Sequence, residues 1–497
     1  MKVYIIGAGP GDPELITLKA ARIIGLCDVL VYDDLIPHAI LALGRKDALR
    51  IYAGKRGGKP LSAHGGQDEI NMLLVDLAKK GYSVARLKGG DPFIFGRGGE
   101  EALFLSENNI DFEIIPGITS AIAAPMYAGI PPTHRSISSS LHIATAHEDP
   151  SKVDSFLDWP LLAKDKGTLV FLMGASRIAS IADSLIKNGM DATTPCALVQ
   201  DATKGRQRHI ISILKDVGQA GITHGIASPC VMIVGLVVNL SKTLYKERQL
   251  PLKGRNILVT RPQTLAWSTS RLFSSLGANV FVYPLIEIVE IAFDIPDMSA
   301  YNMFIFTSQN AVRIFLEKIY SCDIDARTFS GKELWAIGPK TRDALKRYGL
   351  LADGMAGVFS AEGIMKQLKD RNLEKMNICI PRAKGARPYL VDSLKEMGAH
   401  VDELFVYETR LPPHADSGEL ADVLSKVDTI IFTSPSGVKN AFKILGGDIK
   451  TLVDKKTLVA IGPVTGACME DLGITSYIQA KTYTDSGIVD SLKGYKN

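Results

Sequence analysis

Little in this 497-residue chain points to disulfide, metal or membrane chemistry. Its six cysteines, Cys27, Cys196, Cys230, Cys322, Cys379 and Cys468, stand alone. None forms a Cys-x-x-Cys pair or sits at metal-site spacing with a histidine. They read as small buried apolar side chains in a reducing cytoplasm. The longest late apolar run, residues 230–240, is too short to span a bilayer and reads as a buried strand. The N-terminus turns to Gly-Ala-Gly-Pro after a few apolar residues, unlike a secretion signal. Charge of one sign is also missing. With 57 Lys and Arg against 53 Asp and Glu, the net charge is +4, too small to imply a nucleic-acid partner. There is no G-x-x-x-x-G-K-[ST] phosphate loop.

What is present is an α/β pattern. Short Val/Ile/Leu runs such as "VYII", "VLVY", "LVFLM" and "VMIVG" alternate with longer amphipathic segments. That pattern predicts mostly parallel sheets covered on both faces. The length implies two to four domains. A charged, proline-bearing seam, "SKTLYKERQLPLKG" at 241–254, marks the main boundary, and a fresh strand follows it.

The second half repeats itself. "NILVTRP" (256–262) returns as "NICIPRA" (377–383), and "FIFTSQNAV" (304–312) as "IIFTSPSGV" (430–438). "LWAIGPKT" (334–341) returns as "LVAIGPVT" (458–465), and "VFSAEGIMKQL" (358–368) as "TYTDSGIVDSL" (482–492). Two similar α/β units are expected, each with a Thr-Ser corner and an Ile-Gly-Pro corner at strand ends. Facing each other across a cleft, such corners would offer N–H groups and hydroxyls to an anion-rich ligand. Arg261 and Arg382 also recur at matching repeat positions.

The first half carries two glycine-rich loops, "GAGPGDPELIT" (7–17) and "RLKGGDPFIFGRGGEE" (86–101). A dinucleotide fold is the tempting reading, with Asp33 and Asp34 in the ribose-binding place. The spacing Gly7-x-Gly9-x-Gly11 does not match it. Pro10 and Pro13 remove amides, and Asp12 and Asp91 put carboxylates where a phosphate would sit. An aspartate in such a loop suits a ligand with an ammonium group, ribose hydroxyls or a sulfonium. S-adenosylmethionine has all three and no phosphate. The bland alternative is a tight turn with Asp as turn former.

With "YDDLI", "GKR", "IPGITSAIAAPMYAGIPPTHR", "TLVFLMG" and "SPCVMIVGLVV" added, residues 1–245 resemble the S-adenosylmethionine-dependent uroporphyrinogen-III C-methyltransferases of the tetrapyrrole methylase family. After a linker at 246–253, residues 254–497 resemble uroporphyrinogen-III synthase, through "ILVTRP", "FTSQNAV", "AIGPKT", "VYET", "FTSPSGV" and "AIGPVT". The first resemblance implies a fold of two α/β subdomains. The second implies a bilobed synthase with one lobe from 254–285 plus 411–497 and the other from 286–410.

The resemblance also implies roles. Asp33 would be the base and Lys55 a proton donor while two S-adenosylmethionine molecules methylate C2 and C7 of uroporphyrinogen III to precorrin-2. Asp33 as a capping or ribose-binding acid stays open, as do Lys55 and Arg56 as counter-ions for substrate carboxylates. Cofactor positions map onto Pro10, Gly89, Gly90, Asp91, Ile94, Thr119, Ser120, Met173 and Ala202, with Ile94 and Met173 also readable as core. Arg56, Arg97, His134 and Arg135 are candidates for substrate carboxylates, and Arg97 is alternatively a helix cap. In the synthase half, Tyr407 would assist the leaving hydroxyl as hydroxymethylbilane closes with ring D inverted. Thr307, Ser308, Gly338, Thr433, Ser434, Ser436, Gly462 and Thr465 would bind carboxylates. The resemblance implies no metal, a homodimer through the methyltransferase half and a cytoplasmic location. Departures from the family are "YDDLI", where Arg commonly follows the first Asp, "PPTHR" for "PLTHR", "ATAHE" for "TGH", and a long Gly-rich stretch after Lys55. The rivals are a dinucleotide-dependent oxidoreductase fused to a bilobed binding domain, and a non-catalytic bilobed binding protein.

Overall fold

The structure, a computed structural model, describes residues 2–45, 47–56, 59–60, 66–146, 157–247, 249–413, 415–447, 452, 454–493 and 495. The chain forms two compact units. One comprises Met1–Pro284 with Asp416–Asn497, and the other Leu285–Ala415.

The first unit opens with strands β1 (Lys2–Gly7), β2 (Val29–Tyr32), β3 (Leu49–Tyr52), the small ribbon β4 (Lys55–Arg56) and β5 (Lys59–Pro60), then β6 (Val84–Lys88) and β7 (Asp111–Ile115). β1, β2, β3, β6 and β7 form one parallel sheet in the order β3-β2-β6-β1-β7. Its continuous apolar runs follow from burial on both faces. On one face Val3, Ile5, Val29 and Val84 meet Leu74 of the helix Gln67–Lys79 and Leu105 of the helix Gly98–Glu107. On the other, Ile6, Leu30 and Leu87 meet Ala20, Ile23 and Ile24 of the helix Leu18–Ile24. The loops after β6, β1 and β7 therefore emerge side by side at one edge.

The second sheet departs from the mostly parallel expectation. β8 (Leu141–Thr145), β9 (Thr168–Leu172), β10 (Pro195–Gln200), β11 (Arg208–Ile213) and β12 (Cys230–Val234) run in the order β11-β10-β12-β9-β8. Only β8 and β9 are parallel there. Antiparallel and parallel strands buried on both faces carry the same apolar runs, so the sequence does not separate them. Residues 230–240 are also not one strand. β12 ends at Val234, Gly235 takes φ +138°, and a 3-10 turn, Leu236–Leu240, follows. A positive φ is open mainly to glycine and breaks the ladder.

A third sheet starts with β13 (Asn256–Val259) and β14 (Asn279–Val282). The chain then enters the second unit through β15 (Glu287–Glu290), β16 (Met303–Phe306), β17 (Glu333–Ala336), β18 (Gly354–Met355), β19 (Asn377–Ala383) and β20 (His400–Arg410), ordered β15-β20-β19-β16-β17-β18. All pairs are parallel except the edge pair β15–β20. It returns with β21 (Thr429–Phe432), β22 (Thr457–Ala460) and β23 (Ile478–Gln479), which complete the third sheet as β14-β13-β21-β22-β23. That sheet is thus assembled from two distant stretches of sequence.

Among the described residues no helix is long and apolar enough to cross a membrane. Five cysteines are buried, and burial pushes the thiols of Cys27, Cys196, Cys230 and Cys379 up to about 12. Cys322 differs from the expectation. It lies exposed just past the helix Gln309–Ser321, where no core reaches it.

Candidate functional site

Three loops meet at the open edge of the first sheet. The loop after β1 and the loop after β6 are stitched by a pair of backbone hydrogen bonds, Gly9 N–H to Gly90 O at 3.2 Å and Gly90 N–H to Gly9 O at 2.8 Å. The loop after β7 closes against both. A Cβ built on Gly117 would lie 2.3 Å from Gly90 O and 2.7 Å from Gly7 Cα, which backbone cannot relieve. Gly117→Ala is expected to destabilise the protein by about 1–3 kcal/mol through overpacking. Thermal unfolding checks this, with a lowered melting temperature as the expected result.

Asp91 ties the same loops with its side chain. Its Oδ1 accepts from Phe93 N–H at 2.8 Å and its Oδ2 from Gly117 N–H at 3.0 Å. Each carboxylate oxygen keeps a further lone pair. Pro10, Gly89, Gly90, Asp91, Ile94 and Thr119 all lie on these three loops, and Ser120 starts the helix that follows the third. Thr119 caps the helix Ser120–Tyr127, its hydroxyl accepting from Ala121 N–H. Met173 and Ala202 follow β9 and β10 in the second sheet. Leu172, Ala202 and Ala121 share one core cluster. The Ala202 loop also reaches the first loop, Thr203 Oγ1 accepting from Asp12 N–H at 2.9 Å. Ile94 and Met173 are not core residues, being 39% and 48% exposed. Phe95, Arg97, Met173, Asp201 and Thr203 all have φ between +48° and +70°. Such strain persists only where surroundings impose it, and it gathers at ligand sites.

Asp33 directly follows β2, the neighbour of β6. Its Oδ1 accepts from Leu35 N–H at 3.0 Å, and its Oδ2 lies 3.6 Å from the guanidinium of Arg86. Arg86 belongs to a buried ion cluster. Glu101, fully buried, accepts on Oε1 from Arg86 Nε at 3.2 Å, Lys88 Nζ at 2.6 Å and Gln67 Nε2 at 3.3 Å. Its Oε2 has no partner among the described residues. Burial holds the Lys88 ammonium below the usual lysine range and Arg86 adds to this, while Glu101 opposes it.

The remaining first-half candidates stand apart from that junction or are already engaged. Arg97 precedes the helix Gly98–Glu107 and pairs with Glu100 at 2.6 Å. His134 and Arg135 are exposed, His134 Nδ1 accepting from Ser136 N–H. Lys55 and Arg56 form β4, but their side chains lie outside the described residues, as do residues 57–58 and 61–65 that follow.

The repeats build matching corners. Ser308 and Ser434 each cap a helix with nearly the same backbone, φ −160° and −161°, ψ 154° in both. Their hydroxyls accept from Ala311 and Gly437 N–H at 3.0 and 3.2 Å. Gly338 and Gly462 precede the helices Pro339–Arg347 and Pro463–Asp471, each beneath an aromatic ring, Phe359 and Tyr483. These helix N-termini present N–H groups suited to carboxylates. Thr341 and Thr465 sit buried in matching first turns, and Thr307, Thr433 and Ser436 are half-buried beside the serine caps. In the second unit a tyrosine joins the serine cap. Tyr407 of β20 is buried, with its hydroxyl 3.0 Å from Ser308 Oγ. Burial raises it from the usual tyrosine value, so it stays a neutral donor; Ser308 and Asn310 oppose the shift weakly. Arg261 and Arg382 are both buried and paired, to Asp485 and Glu403, each with its Nε unsatisfied among the described residues.

Comparison with known proteins gives the family. Residues 2–218 match the family model of tetrapyrrole (corrin/porphyrin) methylases, and residues 268–490 that of uroporphyrinogen-III synthase. The porphyrin biosynthesis protein HemD of Ruminiclostridium josui is 34% identical over 500 residues, 99% of this chain and 97% of that protein. The chain belongs to both families, joined in one polypeptide. It is an enzyme of tetrapyrrole biosynthesis with a uroporphyrinogen-III C-methyltransferase module and a uroporphyrinogen-III synthase module. The S-adenosyl-L-methionine-dependent uroporphyrinogen III methyltransferase of Methanosarcina barkeri is 47% identical over 247 residues, 50% of this chain and 96% of that one. Among solved structures, the Thermus thermophilus uroporphyrin-III C-methyl transferase complexed with S-adenosylhomocysteine is 36% identical, with a TM-score of 0.42 over 48% of this chain and 100% of that one.

Sequence reasoning missed the methyltransferase module's ion cluster. The signal was there, since a strand buried on both faces should be apolar throughout, yet β6 reads Val-Ala-Arg-Leu-Lys. Arg86 and Lys88 alternate onto one face, and such cations call for a buried acid, here Glu101.

Proposed function

We propose that the synthase module closes hydroxymethylbilane to uroporphyrinogen III with ring D inverted, and that the methyltransferase module then methylates C2 and C7 to give precorrin-2. The observation that carries the second half is the junction of glycine loops held by the Asp91 carboxylate. Bare backbone and a carboxylate with spare lone pairs fit a cationic, hydroxyl-bearing cofactor. Pro10, Gly89–Asp91, Ile94, Thr119, Ser120, Met173 and Ala202 would hold it. S-adenosylmethionine supplies an electrophilic methyl group when bound. The chain's own part is to orient an electron-rich pyrrole carbon and to take up the proton released as the new carbon–carbon bond forms. Asp33, held by Leu35 N–H and faced by Arg86, is the group we assign to that proton, with Lys55 as donor and Arg56, Arg97, His134 and Arg135 on substrate carboxylates.

In the synthase module the corners Thr307, Ser308 and Gly338, with Thr433, Ser434, Ser436, Gly462 and Thr465, would bind acetate and propionate groups. The Tyr407 hydroxyl would donate to the departing hydroxyl. Tyr407→Phe is expected to lower ring closure by about a hundredfold, the low end of what a positioned proton donor supplies, and to leave methylation of supplied uroporphyrinogen III unchanged.

The deciding assay supplies hydroxymethylbilane with and without S-adenosylmethionine and follows products by absorbance and isomer analysis. Uroporphyrinogen I alone, at the spontaneous rate, would overturn the synthase reading. Uroporphyrinogen III with no methylated product would overturn the methyltransferase reading.

A further inference from the structure

The segment that joins β2 to β3 starts with Asp33 and contains the helix His38–Leu41, a single turn. One turn does not hold itself in water, so the segment takes its shape from what packs on it. Part of that packing comes from the synthase module. Ala42 is buried among Val259, Phe273 and Val282 of the lobe built on β13 and β14. In return, Trp267 of that lobe packs against the methyltransferase cluster that holds Ile36, Ile40 and Leu41. Gln263 Nε2 donates to the Leu41 carbonyl at 3.1 Å, and the His38 and Phe281 rings lie 5.6 Å apart. Beside these contacts lies a cavity of about 900 Å³, lined by Tyr32, Asp33 and Asp34 from the methyltransferase and by Phe281, Glu419 and Lys426 from the lobe.

We propose that this synthase lobe is a positioning surface for methyl transfer. By clamping the turn just after Asp33 it fixes the carboxylate that takes the proton, so the methyltransferase reaches full rate only with the lobe docked. The proposal rests on the assignment of Asp33 as base. Trp267, Gln263 and Phe281 are positioning residues that act through that segment. Displacing a catalytic group by about 1 Å can cost on the order of a hundredfold in rate, so partial loosening should be readily measured.

The test uses the full chain, whose two activities serve as mutual controls. Trp267→Ala, Trp267→Phe and Phe281→Ala are assayed for ring closure of hydroxymethylbilane, for methylation of supplied uroporphyrinogen III, and for S-adenosylhomocysteine affinity by calorimetry. The expected result for Trp267→Ala is a fall in methylation kcat of about tenfold. Ring closure and cofactor affinity should stay near wild type, and Trp267→Phe should recover most of the rate. Phe281 is only half-buried on the edge strand β14, so Phe281→Ala spares the lobe's core. It should show the same split even if Trp267→Ala unfolds. Methylation at the wild-type rate in Phe281→Ala, or loss of both activities together in that variant, would overturn the proposal. Asp33→Asn is run in parallel. If it methylates normally the base assignment falls. If it is inactive while the lobe variants methylate fully, only the docking proposal falls.

Discussion

Asp91→Ala is expected to abolish methyl transfer and leave ring closure at the wild-type rate. The carboxylate does two things at once. It accepts from Phe93 N–H and Gly117 N–H, and so fastens the loop after β6 to the loop after β7. It also keeps lone pairs that a cationic, hydroxyl-bearing cofactor can use. Hydrogen bonds to a charged group are worth about 1.5–3 kcal/mol each, and a buried donor left unpaired adds a penalty of similar size. Loss of both bonds at a junction where Gly7, Gly90 and Gly117 touch backbone to backbone should open the site and cost at least about a hundredfold in cofactor affinity, since every 1.4 kcal/mol is tenfold. The synthase corners use none of these loops. Calorimetry with S-adenosylhomocysteine, run beside the two activity assays, gives the answer. Parallel loss of both activities would mean that Asp91 supports the whole fold rather than one site. Asp91→Asn should be intermediate, because its carbonyl keeps one acceptor while its amide cannot take the second N–H.

The glycine loops and the repeats were legible for the same reason, in that each imposes a local rule. Gly90 with φ +69° and Gly9 with φ +76° adopt backbone that few other residues tolerate. Ser308 and Ser434 cap helices in nearly identical geometry because the motif around them is the same. What could not be read depends on partners far apart in sequence. The antiparallel order of the second sheet leaves no mark, since strands buried on both faces are apolar in either direction. The link from Asp33 to Arg86 and on to Glu101 joins three separate elements, and only the two cations in β6 hinted at it. Arg97 fits either a substrate contact or the helix start by sequence, and its pairing with Glu100 follows from the left-handed turn that sets it before the helix. The docking of Trp267 on the turn after Asp33 was invisible because a half-buried tryptophan in an amphipathic helix looks like ordinary core.

Asp33→Asn is expected to reduce methylation kcat by about 10²- to 10⁴-fold, the usual worth of a positioned base. Cofactor affinity and ring closure should stay near wild type. The substitution is close to isosteric, and its Oδ1 can still accept from Leu35 N–H, so the turn should survive. What changes is charge. Asp33 and Glu101 together balance Arg86 and Lys88, two anions against two cations around one buried cluster. Removing the Asp33 charge leaves one cation of the cluster unmatched and, on the proposed assignment, removes the acceptor for the proton. If Asp33 were only a turn former, asparagine, an equally good turn residue, would restore nearly full activity. Methylation within about tenfold of wild type in Asp33→Asn, with the melting temperature unchanged, would therefore reassign Asp33 from base to turn residue. A loss in the hundredfold range with an intact turn would place the proton on this carboxylate.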